Sequence, residues 1–252
     1  MTKIELYRQI SRTRRELGIT EGSYPLDIVG LIRRKLPCIR LHRRKFETSG
    51  LHGVAVIDDG TDGVDVIVID DNRMMHEQNF DCSHEFMHTR LHRSTEIRTF
   101  ICSDSTASGA SAYLEWEANE GASELLVPAR MLIPELVERS RGGVSATYFY
   151  ELKCDLACKY FVSAAVITTR IESLKYEIDQ HIRGVPIERL KVLSRTEQER
   201  WGIKVDSLND LENEQFVDQY ANVGGEVDEE EDGDHENARW DDRTYWERLW
   251  LA

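Results

Sequence analysis

The stretch NFDCSHEFMHTRLHR, residues 79–93, contains the pattern H-E-x-x-H, made of His84, Glu85 and His88. The segment has the character of an α-helix, and residues four apart in a helix lie about 6 Å from one another on the same face. His84 and His88 can therefore direct two imidazole nitrogens at one metal ion. Glu85 lies about 100° further round the helix, where it reaches a water molecule on that ion rather than the ion itself.

This arrangement is typical of hydrolysis assisted by a metal. A zinc ion lowers the pKa of a bound water from near 16 toward about 7, and Glu85 is then placed to take the proton as general base. A random shuffle of the 8 His and 27 Glu in 252 positions would give the pattern roughly 2 times in 100. The alternative is a helix whose histidines make polar contacts at the edge of a core. A third residue able to bind the metal would decide between the two interpretations.

The residues that directly follow the motif do not supply that ligand. His92 lies one turn beyond His88, but three ligands along one straight helix would spread over about 12 Å, so we interpret His92 as a neighbour of the site. The extended motif of the metzincins requires Gly and His at the positions that Leu91 and Ser94 occupy here. That class of metallopeptidase is therefore excluded.

The segment YLEWEANEGASELLVP, residues 113–128, supplies glutamates from a second helix. Glu115 has an amide partner one turn later, so its carboxylate can bind the metal while Asn119 bonds the free nitrogen of a histidine ligand. Glu115 also lies beside the apolar stripe of this helix, where an unpaired charge is costly and a metal would relieve it. For Glu117, Glu120 and Glu124 we predict a solvated acidic face.

The composition predicts a soluble, cytoplasmic protein with no membrane partner. No run of about 18 apolar residues occurs, and the N-terminus is not a basic stub followed by an apolar block. The five cysteines are scattered without C-x-x-C, which supports neither a disulfide framework nor a thiolate zinc site. We interpret Cys82 and Cys102 as small core residues rather than a redox switch.

The net charge of −14 is concentrated in one segment. Residues 205–238 contain 13 acidic and no basic residues, whereas residues 1–204 contain 29 basic and 30 acidic residues. This imbalance predicts a disordered acidic tail, with regulation or partner docking by the tail as the alternative. Because the rest of the chain is not basic, direct binding of nucleic acid is not favoured.

Sequence periodicity predicts an α+β fold. Residues 2–17 and the segment after Pro25 predict helices, and three short β-branched runs between residues 38 and 71 predict a small antiparallel or mixed sheet with hairpin connections. From about Arg73 to residue 202 the pattern is helical, with helices at 79–92, 110–126 and 129–140. Two further helices break at Val162 and Ser163, with Ser163 as the predicted N-cap.

The two motif segments together resemble the ImmA/IrrE family of metallopeptidases. SHEFMHTRLH followed by EWEANEGASELLVPARML is similar to that family's H-E-x-x-H helix and its later E-x-E-A-N-x-x-A-x-x-L-L-x-P segment, and the likeness covers roughly residues 20–175. The resemblance implies one zinc ion per chain, with His84, His88 and Glu115 as ligands and Glu85 as the catalytic residue. It also implies zincin-type active-site helices and a gluzincin-like zinc protease.

The sequence departs from the family at a few positions. Phe86 and Met87 stand where the family commonly has a small residue and Gly, and Gly121 stands where it has Phe. These differences affect packing and leave the ligands intact. The resemblance further implies that the substrate is a protein, namely a helix-turn-helix transcriptional repressor of a mobile element or a stress response.

We therefore predict three regions and keep two alternatives for the function. The regions are a zinc metallopeptidase domain over residues 1–142, a helical, helix-turn-helix-like region over 143–204, and the acidic tail with a short Trp-rich helix over 205–252. The first alternative is a DNA-binding regulator that uses the two-helix unit at 151–174, with Thr168, Thr169 and Arg170 as its polar contacts. The second is a family member without catalysis, against which the intact set of four motif residues argues.

Overall fold

A computed structural model describes residues 1–60, 62–103, 110–141 and 145–205, the side chain of Ala110 excepted. The helices are α1 (Lys3–Leu17), α2 (Ile28–Lys35), α3 (Met75–Leu91), α4 (Ala110–Leu126), α5 (Ala129–Arg139), α6 (Ala146–Tyr160), α7 (Ala164–Ser173), α8 (Lys175–Ile182) and α9 (Arg195–Arg200). The strands are β1 (Ile39–Arg44), β2 (Leu51–Val56), β3 (Asp65–Asp70) and β4 (Thr99–Ser103). The predicted α+β class is confirmed, while the acidic tail and the Trp-rich end lie outside the described residues.

The four strands form one mixed sheet in the order β1-β3-β2-β4. The predicted hairpin is present, since β2 runs antiparallel to β3, and β1 joins the other side of β3 in parallel. Within β3, Ile67 and Ile69 are fully buried and alternate with half-buried residues, as expected for a strand whose one face packs on the core.

Strand β4 corrects the prediction of continuous helix from Arg73 to residue 202. Thr99–Ser103 is a five-residue strand that pairs antiparallel with β2 and follows the motif helix instead of preceding it. The segment forms a strand because Thr99, Phe100 and Ile101 are β-branched or aromatic, and such residues suit a pleated surface better than a helix. Phe100 is buried, whereas Ile101 on the opposite face is exposed.

Helix α3 packs between the sheet and α4. Most of its residues are buried, because strands β2 and β3 cover one side and the small residues Ala118 and Ala122 of α4 allow a close approach on the other. The same hydrophobic core extends to α6, α7 and α8, through residues such as Leu156 and Ile171. The domain boundary predicted at residue 142 stays a prediction.

The break between α6 and α7 lies where the sequence predicts it. Phe161 adopts a left-handed conformation with φ of 55°, which ends α6, and the Ser163 side chain accepts a hydrogen bond from the backbone N–H of Val166 at 3.3 Å. The predicted N-cap is therefore confirmed.

The prediction of a solvated acidic face for Glu117, Glu120 and Glu124 is wrong. All three are less than 8% exposed. Arg170 of α7 donates to Glu120 at 2.7 Å and also pairs with Glu124, and it is itself buried. The cations that neutralise Glu120 and Glu124 come from helices far away in the sequence, so the local pattern of α4 carried no sign of them.

The buried position of Arg170 also bears on the two-helix unit. Its guanidinium lies against α4, and the hydroxyl of Thr168 donates to the Ala164 carbonyl within its own helix. Two of the three predicted polar contacts to DNA are thus engaged inside the protein. Among the helices of the described residues, none is long and apolar enough to cross a membrane.

Candidate metal centre

The motif histidines converge as helical spacing predicts. The Nε2 atoms of His84 and His88 lie 3.1 Å apart, and both side chains are almost completely buried. Both histidines come from successive turns of α3, and α3 packs between the sheet and α4. A packed helix therefore holds them in place, and no loop is involved.

Glu115 joins the two histidines from helix α4. Its Oε2 lies 3.2 Å from Nε2 of His84 and its Oε1 lies 3.5 Å from Nε2 of His88. One ligand atom from each of the three residues falls within 4.8 Å of the others, so together they could hold a metal ion. The structure thus brings together the three residues that the sequence proposes as ligands, while their role in metal binding stays a prediction.

The charge states of these groups suit a metal centre. Burial, together with the charges of His84 and His92, lowers the pKa of His88 to about 4, so its imidazole is neutral at pH 7. Partial burial alone would raise the pKa of Glu115, but the neighbouring imidazoles of His84 and His88 lower it to about 2. The site therefore offers an ionised carboxylate beside a neutral imidazole, the forms in which both groups bind metals.

The second nitrogen of His84 is held by Asn119, as predicted. Its Nδ1 lies 3.1 Å from the Asn119 side-chain oxygen, which can only accept a hydrogen bond. The Nδ1 atom must therefore carry the proton, which leaves the lone pair of Nε2 directed at the ligand cluster.

The second nitrogen of His88 is held by a buried chain of two residues. Nδ1 of His88 lies 2.9 Å from Nδ1 of His92, and Nε2 of His92 lies 3.1 Å from Oε2 of Glu117. If His92 donates from Nε2 to the carboxylate, its Nδ1 accepts from His88, and Nε2 of His88 is then free for a metal. The other oxygen of Glu117 accepts from the amino group of Met1 at 2.7 Å.

His92 is a neighbour of the site, as interpreted from the sequence, but Glu117 was missed. The spacing of His92 one turn after His88 was the available signal for the first contact. Nothing local distinguished Glu117 from the other acidic residues of α4.

Glu85 lies in the sequence position of a general base and is fully buried. Neither carboxylate oxygen has a hydrogen-bond partner among the described residues. Burial first, and then the charges of Glu115 and Asp81, raise the pKa of Glu85 well above its ordinary value. A buried, unpaired acid beside other acids is costly, and a divalent cation held by His84, His88 and Glu115 would supply the missing positive charge.

Gly53 of strand β2 makes the position of Glu85 possible. A Cβ atom at residue 53 would lie 2.5 Å from Oε1 and 2.9 Å from Cγ of Glu85, closer than nonbonded atoms approach. Gly53 is not among the site residues predicted from the sequence. A glycine inside a β-branched strand, LHGVAV, was the signal for a close approach of this kind.

Strand β4 completes the surroundings of the centre. The ring of Phe100 stacks on the imidazole of His88, with centroids 4.1 Å apart and an angle of 20° between the planes. Cys102 of the same strand places its Sγ within 4.8 Å of ligand atoms of His84 and Glu85. The interpretation of Cys102 as a small core residue is therefore incomplete, because the thiol is half-buried beside the proposed base.

Comparison with known proteins gives one result that bears on this site. The family model described as the IrrE N-terminal-like domain, a peptidase family, matches residues 37–172. The match begins just before β1 and ends in α7, so it includes the sheet, the motif helix and all three candidate ligands. No curated protein matches the chain.

Proposed function

Since the chain belongs to the peptidase family of the IrrE N-terminal-like domain, we propose that it is a cytoplasmic zinc metalloendopeptidase. The observation that carries this proposal is the convergence of His84 and His88 from one helix with Glu115 from another. Two imidazoles and one carboxylate form the ligand set of gluzincin-type catalytic sites, which leave a further position open for water or substrate. One zinc ion per chain is expected.

A bound zinc ion would acidify a water molecule and polarise the carbonyl of the scissile bond. Glu85 then accepts the water proton on its carboxylate and delivers it to the leaving amide nitrogen. Its lack of hydrogen-bond partners in the described residues supports this role, because no neighbouring group competes for the oxygens. The cation also favours the ionised form of Glu85, which burial alone disfavours.

The edge of the sheet next to the centre is suited to an extended peptide. In the part of the chain that the structure describes, β4 is the last strand in the sheet order, with β2 as its partner on one side. Phe100 of this strand stacks on His88, so the edge lies beside the candidate ligands. We infer that the substrate backbone pairs with the outer edge of β4, which brings a carbonyl toward the ligand cluster.

The substrate class follows from the resemblance noted above. A helix-turn-helix transcriptional repressor, encoded beside the gene of this chain, is the protein that we expect it to cleave. Incubation of the purified repressor with the zinc-loaded enzyme should give discrete fragments, and a chelator should prevent their formation. If the repressor stays intact in a preparation that does cleave another protein, and a chelator prevents that cleavage, the repressor is excluded as the substrate.

The contact between Gly53 and Glu85 gives a test of the proposed base. The Gly53→Ala substitution should lower the rate of peptide hydrolysis by about 100-fold, because displacement of a catalytic group by about 1 Å has an effect of that size. Zinc content should stay at one ion per chain, since the ligands are not touched. Gly22→Ala is the matched control, because a Cβ there meets no atom closer than 3.9 Å. Equal rates for the two variants would show that Glu85 is not held by this contact.

The chain from His88 through His92 to Glu117 gives a second test. Leucine cannot accept a hydrogen bond from Nδ1 of His88, so His92→Leu should weaken zinc binding by about 10-fold to 100-fold. Competition with a chromophoric chelator measures this affinity directly. His42→Leu, at an exposed position of β1, is the matched control and should bind zinc as the unaltered chain does. An unchanged affinity in His92→Leu would mean that His92 does not orient the ligand.

A further inference from the structure

Three potential metal-binding groups form a second cluster at the centre, one that does not include Glu115. The ligand atoms of His84, Glu85 and Cys102 all lie within 4.8 Å of one another. His84 and Glu85 are neighbours on α3, and Cys102 comes from β4, so the helix and the edge strand together make the cluster. His84 belongs to this cluster and also to the one with His88 and Glu115.

The carboxylate of Glu85 provides an observation that is independent of the thiol. It is fully buried, and both oxygens lack a hydrogen-bond partner in the part of the chain that the structure describes. A buried carboxylate usually satisfies its oxygens with N–H groups, an ion pair or a metal. Here its oxygens lie near a thiol and an imidazole. Both groups can bind a cation once the thiol has lost its proton to solvent.

The chemistry of this second cluster differs from that of the first. The cluster of His84, His88 and Glu115 offers nitrogen and oxygen, whereas the cluster with Cys102 adds sulfur. Thiolate is a soft ligand and favours thiophilic ions, while carboxylate and imidazole discriminate less. The two clusters compete, because Nδ1 of His84 is bonded to Asn119 and only Nε2 remains for an ion.

We propose that His84, Glu85 and Cys102 form an alternative, inhibitory cation site that selects thiophilic divalent ions such as Cd²⁺. The inference rests on the proposed function, since an ion in this position occupies the carboxylate of the proposed base. An ion there also withdraws His84 from the cluster with Glu115. The enzyme is therefore inactive while a thiophilic ion is bound at this site.

Absorption spectroscopy of the full-length chain tests this site. Cys38, Cys154 and Cys158 are first changed to Ser, because the last two lie four residues apart on α6 and could bind Cd²⁺ themselves. Titration of this metal-free variant with Cd²⁺ should produce the ultraviolet charge-transfer band of one cadmium–thiolate bond per chain. Adding Cys102→Ser should abolish the band. A band that persists without Cys102, or no band in its presence, would overturn the proposal.

A further variant separates this inference from the proposed function. Glu115→Gln in the same background should retain the cadmium band, because Glu115 is not part of the alternative site, while it weakens the binding of zinc. Loss of the band in Glu115→Gln would contradict an independent thiol site. If the band is retained but zinc binds as tightly as before, the cation site with Cys102 stands and the proposed catalytic site is wrong.

Inhibition gives a readout in the active enzyme. Cd²⁺ added to the zinc-loaded chain should suppress peptide hydrolysis, and each variant is compared with its own rate before Cd²⁺ is added. The Cys102→Ser variant should lose less of its rate at the same Cd²⁺ concentration. Equal fractional inhibition of both proteins would show that Cys102 does not hold the inhibitory ion.

Discussion

Replacement of Glu85 by glutamine should abolish hydrolysis while the metal stays bound. Glutamine has nearly the shape of glutamate, but its amide cannot take a proton from water at neutral pH. Loss of a general base lowers the rate by about 10²-fold to 10⁴-fold. We therefore expect the turnover of a peptide substrate by Glu85→Gln to fall by that factor, and a metal analysis of the same sample to give one zinc ion per chain.

The environment of Glu85 makes this substitution a clean test. Both oxygens lack hydrogen-bond partners among the described residues, so an uncharged amide breaks no contact there and should not destabilise the fold. Glu138→Gln, at an exposed position of α5, is the control for general effects of the change and should retain full activity. If Glu85→Gln kept the activity of the unaltered enzyme, Glu85 would not be the base.

Removal of the carboxylate of Glu115 should have the largest effect on metal affinity. Its oxygens lie 3.2 and 3.5 Å from the two imidazoles, and no other carboxylate forms a three-residue ligand group with both histidines in the described residues. Loss of residues that merely orient ligands lowers metal affinity by about 10-fold to 100-fold. Loss of a direct, charged ligand should exceed that range, so we expect Glu115→Gln to bind zinc more than about 100-fold less tightly.

A competition titration measures the zinc affinity of Glu115→Gln, and the rate of hydrolysis is measured at saturating zinc. Glu115 is about one fifth exposed, so the substitution should leave the stability of the fold largely unchanged, which thermal unfolding of the metal-free proteins would verify. Equal zinc affinities of Glu115→Gln and the unaltered chain would place the third ligand elsewhere.

The sequence predicts the parts of this molecule that depend on local spacing. His84, Glu85 and His88 lie within two turns of one helix, and Asn119 lies one turn after Glu115, so helical geometry alone brings each group together. The cap at Ser163 is likewise a property of a few consecutive residues. The family resemblance, now confirmed over residues 37–172, is what predicts that the two helices contribute to the same site.

The features that escaped prediction depend on contacts between distant segments. Glu120 and Glu124 look solvated on α4, but Arg170 lies some fifty residues further along the chain and neutralises both. The strand at Thr99 is stabilised by β2, and its five residues are too few to show a period of their own. The role of Gly53 depends on the approach of a helix that begins more than twenty residues later.

We propose that two imidazoles of α3 and one carboxylate of α4 hold a single zinc ion. A crystal structure of the zinc-loaded chain, with anomalous diffraction data at the zinc edge, would locate the ion. We expect one anomalous peak about 2.0–2.2 Å from Nε2 of His84, from Nε2 of His88 and from an oxygen of Glu115. A peak out of bonding distance of Glu115, or none between the two histidines, would contradict it.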